Sequence, residues 1–106
     1  MAQGVHTEKV AGGKLLRVKV DVNEAGKVSK VQVLGDFFIH PEEFVEEIEQ
    51  LLFDYSLLDE EAIAAAVKGL VLNYEAELVG ITSEAIAKAF VNAKSNAAQQ
   101  LNQGAE

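Results

Sequence analysis

From Leu15 to Val22 apolar and polar residues alternate. Leu16, Val18, Val20 and Val22 share one side of the chain, and Arg17, Lys19 and Asp21 share the other. A period of two predicts a half-buried strand. Asn23-Glu24-Ala25-Gly26 then offers turn chemistry, with Gly26 free to adopt positive φ. Val28–Leu34 reads as the returning strand, with Val31 and Val33 inward and Lys30 and Gln32 outward, so the two runs form a β-hairpin. Gly35-Asp36 sets off a third short strand over Phe37–Ile39. Leu15 and Leu34 interrupt the polar side of the hairpin, which leaves room for a partner to cover part of it.

After Ile39 the period changes from two to 3.6. Pro41 suits the first turn of a helix, where its missing N–H costs nothing. Phe44, Val45, Ile48, Leu51 and Leu52 follow as one helical stripe, with Glu42, Glu43, Glu46, Glu47 and Glu49 around it. Glu42 and Glu43 favour the positive end of the helix dipole. Asp59 suits the N-cap of a second helix carrying Ile63, Val67, Leu70 and Val71 inward. Thr82 or Ser83 caps a third, whose stripe is Ile86, Ala89, Phe90 and Ala93, with Ala97 and Leu101 as its extension. Strands first and helices afterwards imply an α+β fold. We expect a small antiparallel sheet of about three strands with about three helices on one face. The expected unit is one domain over residues 1–106, with a mobile N-terminal lead-in (1–9) and a C-terminal tail (92–106) that either extends the third helix or trails off.

Composition narrows the classes of function. The 106 residues are enough for one modest core, and no apolar run approaches the ~18–20 residues of a membrane span. The N-terminal residues lack the pattern of a signal peptide, and there is no Cys. These features suit a cytoplasmic protein without disulfides or thiolate chemistry. Charge is unevenly placed: residues 1–34 carry a net +3 and residues 35–106 a net −11. An acidic surface argues against nucleic-acid or anionic-membrane binding, which need clustered cations. The basic third is either the solvated face of a sheet or a surface for an anion or an acidic partner.

No catalytic set and no metal site can be assembled. His6 and His40 show no metal-ligand spacing, and no nucleophile is paired with a base. The Glu cluster of the first helix reads as solvated surface. Gly12-Gly13-Lys14 either brings backbone N–H groups and a cation to a phosphate or forms a structural turn. It lacks P-loop spacing, because a strand follows it. Asp36 either closes a turn or meets a partner. If Phe37 and Phe38 are extended they point to opposite faces, one into the core and one to an interface.

Several segments together resemble the C-terminal accessory domain of lipoate–protein ligases, in the form made as a separate small subunit. They are Gly12-Gly13-Lys14-Leu15, the hairpin closed near Gly26, and Gly35-Asp36-Phe37-Phe38-Ile39-His40-Pro41-Glu42-Glu43. The runs Glu61–Ala66 and Gly80-Ile81-Thr82-Ser83-Glu84 follow in the family's order, and the likeness spans about residues 9–90. Ala11 stands where the family has Pro. The resemblance implies a non-catalytic subunit, inactive alone and binding no cofactor by itself. It would form a heterodimer with a catalytic subunit that holds lipoate, ATP and Mg²⁺. That pair activates lipoate to lipoyl-adenylate and then lipoylates a lysine of an acceptor protein, and the small part serves the activation step. Gly12, Gly13 and Lys14 would then lie near the adenylate, and Asp36, Phe37 and Phe38 at the partner interface. The competing reading is a small cytosolic interaction module unrelated to lipoate.

Overall fold

The alternating run Lys14–Val22 forms the central strand of a three-stranded antiparallel sheet in the computed structural model, which describes residues 2–10, 12 and 14–104. We call Ala2–Val10 β1, Lys14–Val22 β2 and Val28–Gly35 β3, and their order across the sheet is β1-β2-β3. β2 and β3 form the expected hairpin, with the inward Val18 opposite Val33 and Val20 opposite Val31. Asn23 organises the connecting turn: its Oδ1 accepts from the Ala25 and Lys27 N–H groups at 3.0 and 3.1 Å. Gly26 closes it at φ 80°.

The third strand differs from the expectation. Residues 2–10 are no lead-in: they form β1, paired along their whole length with β2 from Ala2–Val22 to Val10–Lys14. Their inward side carries Gly4, His6 and Glu8 between Ala2 and Val10, with Val5 facing outward, so no sustained hydrophobic alternation announces the strand. At Gly4 the third helix lies directly on the backbone. A Cβ there would stand 2.5 Å from Ala97 N and 2.9 Å from Ala97 Cβ. The short strand expected over Phe37–Ile39 lies one residue later, as β4 (Phe38–His40), and belongs to a separate two-stranded sheet with β5 (Glu77–Val79).

Three helices follow: α1 (Phe44–Asp54), α2 (Glu60–Asn73) and α3 (Ser83–Gly104). Pro41–Glu43 make a turn that leads into α1: the N–H groups of Phe44, Val45 and Glu46 each reach the carbonyl three residues back. α1 therefore begins three residues after Pro41. Asp59 caps α2 by accepting from Ala62 N–H at 2.8 Å, and Thr82 caps α3 by accepting from Ala85 N–H at 3.0 Å. α3 runs on through residues 92–104, so the tail described there is helical. The Leu101 side chain lies outside the described residues.

α1 covers β3, α3 covers β1 and β2, and α2 packs against α3 and α1 on the same side. Leu16, Val18, Val20, Val31 and Val33 of the sheet meet Phe44, Ile48 and Leu52 of α1, Ile63 and Val67 of α2, and Ile86, Phe90, Ala93 and Ala97 of α3 in one core. Each large side chain there contributes about 1.5–3 kcal/mol by leaving water. Helix side chains also cover both sheet edges. Glu49 Oε2 accepts from Val33 N–H at 2.8 Å, Asn96 donates to Val5 O at 3.0 Å, and Gln100 accepts from Gln3 N–H at 3.3 Å. Edge groups bonded in this way are closed to pairing with another chain. Glu49 is thus an exception to the solvated reading of the Glu cluster.

Candidate functional site

Gly12 lies in the three-residue β1–β2 connection with φ 96°, a conformation that glycine adopts without a Cβ clash. Gly13 and Ala11 lie outside the described residues. Lys14 opens β2 and is half-buried, and its stem rests on Gly80 in the β5–α3 connection. Gly80 has φ 91°, and a Cβ there would come within 2.8 Å of Lys14 Cγ. A side chain at 80 would therefore be strained and would displace the lysine.

The second motif reaches the same end of the sheet, because antiparallel strands return the chain to where it began. Asp36 donates its backbone N–H to Leu15 O at 3.0 Å, one residue beyond Lys14. Phe37 packs on the core while Phe38 is 63% exposed, the division expected of successive extended residues. Phe38 pairs with Val79, which immediately precedes Gly80. Lys14, Gly80, Val79, Phe38 and Asp36 are thus linked through two strand pairings and one packing contact. Phe38, Leu34, Val45 and His40 line an open groove of about 320 Å³ beside them.

Val79 and Gly80 are the members of this group that pattern reasoning missed. Their link to Lys14 is a contact with a glycine, which leaves no side-chain signal. In the sequence Gly80 stands out only as the first residue of the run Gly80-Ile81-Thr82-Ser83-Glu84.

The chemistry available at this end is recognition: one cation on a supported stem, exposed apolar surface, and Asp36 exposed at the rim. His40 is exposed and pairs through its backbone with Glu77. His6 and Lys88 both approach Glu8 Oε1, at 3.2 and 3.5 Å, where Glu8 pairs through its backbone with Leu16. That cluster ties β1 to α3. Burial lowers the pKa of Lys94, which contacts Ser56 O and stands 5.6 Å from the centre of the Phe90 ring. Among the described residues no group of three or more His, Cys, Asp or Glu is placed to hold a metal ion. No helix among them is long and apolar enough to cross a membrane.

No family model and no curated protein matches the chain. Among solved structures it is similar to a chain of an archaeal lipoylation system from Thermoplasma acidophilum, described as a bi-partite lipoate protein ligase and its E2 lipoyl domain. The two superpose with a TM-score of 0.65 at 22% identity, over 85% of this chain and 97% of that one. A likeness over nearly the whole of the other chain, at this identity, establishes that the two share a fold.

Proposed function

We propose that this chain is the non-catalytic accessory subunit of a two-component lipoate–protein ligase. It joins a catalytic subunit for ATP-dependent activation of lipoate, ahead of transfer to a lysine of a lipoyl-acceptor protein. The observation that carries the reading is the match to 97% of a chain from a lipoylation system whose ligase is bi-partite. The motifs Gly12-Gly13-Lys14 and Gly35–Glu43 support the same family on independent grounds, since they are read from residue types and order.

In this reading lipoate, ATP and Mg²⁺ are held by the catalytic subunit. This chain supplies a cap. Lys14, with its stem on Gly80, brings a cation towards the phosphates, where a charge-assisted contact strengthens as water is expelled. Asp36, Phe37 and Phe38 belong to the surface that meets the partner, with Phe38 as its exposed apolar member. Seating such a cap closes the reacting groups off from solvent, which favours adenylation over hydrolysis.

The test is lipoylation of an acceptor domain, read as the mass of the intact acceptor. The catalytic subunit and this chain together, supplied with lipoate, ATP and Mg²⁺, should modify the acceptor, and each subunit alone should leave it unmodified. Full modification by the catalytic subunit alone, unchanged when this chain is added, would remove the accessory role.

A further inference from the structure

We infer that the helix-free face of the three-stranded sheet docks on an acidic surface of the partner, with Arg17 as its carboxylate anchor; the inference rests on the accessory-subunit reading. The helices cover only one side of the sheet. The other side presents the outward residues of all three strands, in cross-strand rows such as Thr7–Arg17–Leu34 and Val5–Lys19–Gln32.

Charge separates across the molecule. This face holds Lys9, Arg17, Lys19 and Lys30, against Asp21 on the strands and Asp36 at the rim. The rest of the chain carries five Lys or Arg and fifteen Asp or Glu. The four cations form no ion pair among the described residues, whereas Lys68 and Lys88 on the helices pair with Glu84 and Glu8. A positive face on a protein of net charge −8 selects an acidic partner and orients its approach.

One point on the face is built for a carboxylate. Arg17 Nε donates to Thr7 Oγ1 at 3.0 Å, which fixes the guanidinium and leaves its two terminal NH₂ groups to a ligand. Beside it lies a notch of about 190 Å³ between Leu15 and Leu34, closed at one end by Gly35 and Asp36. Leu15 and Leu34 are 39% and 42% exposed, large apolar residues standing among cations on a strand surface. A Glu or Asp side chain of the partner would place its carboxylate on Arg17 and its stem against the leucines. Leu34 also lines the groove that holds Phe38, so this face is continuous with the surface assigned above to the partner.

Three strands of this length cover roughly 400 Å², about half of what one partner contributes to a standard interface. The contact must therefore lean on charge, and its strength should fall with salt.

The experiment is calorimetric titration of the catalytic subunit from the same organism with this chain, at low salt and at about 0.5 M salt. Arg17→Glu/Lys19→Glu should raise Kd about tenfold or more at low salt, with the gap to wild type narrowing at high salt. Lys27→Glu/Lys68→Glu makes the same charge change away from the face and should change Kd by less than about threefold. Lys9→Glu/Lys30→Glu repeats the test at the two outer strands, should the first pair disturb folding as judged by circular dichroism. Equal weakening by face and control variants, or unchanged affinity in both face variants, overturns the docking surface while tight wild-type binding leaves the accessory reading standing. Absence of any wild-type binding overturns that reading and this inference together. A salt-sensitive dimer of this chain alone, broken by the face variants, would assign the face to a second copy and overturn the inference, as would capture by anionic phospholipid vesicles.

Discussion

Replacing Gly4 with Ala tests the packing that holds β1 beneath α3. The new methyl carbon would stand 2.5 Å from Ala97 N and 2.9 Å from Ala97 Cβ, and close to the Ala93 carbonyl oxygen. Carbon contacts settle at about 3.5–4 Å, so one element must retreat by roughly 1 Å. The clashing atoms are helix backbone and a Cβ, which cannot rotate away. A shift of α3 would loosen Ala93 and Ala97, both fully buried, and stretch the Asn96 and Gln100 bonds that close the β1 edge. Overpacking of this kind costs about 1–3 kcal/mol. At about 4–8 °C per kcal/mol for a domain of this size, Tm should fall by about 5–20 °C. Gly69→Ala is the matched control. It lies mid-helix in α2, and the added methyl would have no neighbour within 4 Å, so ordinary helix preference should stabilise by about 0.5–1 kcal/mol. Thermal unfolding followed by circular dichroism reads both. A Gly4→Ala protein as stable as wild type would show that α3 does not rest on the β1 backbone.

Lys14→Ala should lower the rate of lipoate activation by the reconstituted pair while leaving its affinity nearly unchanged, since one cation that water still reaches adds ~0–1 kcal/mol to binding; equal loss in transfer from preformed lipoyl-adenylate would contradict the placement of this lysine. Gly80→Val should mimic that loss of activation, because its side chain would displace the lysine stem, and unimpaired activation in a folded Gly80→Val protein would break the link between the two residues. Thr82→Ala removes the side-chain cap of α3 and should cost about 0.5–2 kcal/mol in urea unfolding; no change would show that the bond to Ala85 N–H contributes nothing.

The hairpin was legible because its core side is built of Leu16, Val18, Val20, Val31 and Val33, each strand alternating with polar neighbours. The helices were legible through stripes such as Phe44, Ile48 and Leu52, and through Asp59 and Thr82 at their caps. β1 was not, because the middle of its inward side is the backbone of Gly4 and the half-buried Glu8 carboxylate, held by His6 and Lys88, with apolar side chains only at its ends, Ala2 and Val10. Hydrophobic periodicity cannot report burial of either kind. The fate of Phe38 was half legible. Its exposure followed from extended geometry beside an inward Phe37, but its pairing with Val79 joins segments about forty residues apart, and β5 is too short to show a period. Lys14 and Asp36 could be brought together from sequence because antiparallel strands return to their starting end. Gly80 completes that group through the space it leaves, which a pattern of side chains does not record.

The central claim is that this chain completes a lipoate-activating enzyme without being one. Lipoate-dependent release of pyrophosphate from ATP tests it most directly, measured for this chain, for the catalytic subunit, and for the two mixed. The account predicts background release from this chain alone and strong release from the mixture, at least about tenfold above the catalytic subunit by itself, the scale of a 1.4 kcal/mol change in barrier. Release by this chain alone, or a mixture no faster than the catalytic subunit, would contradict it.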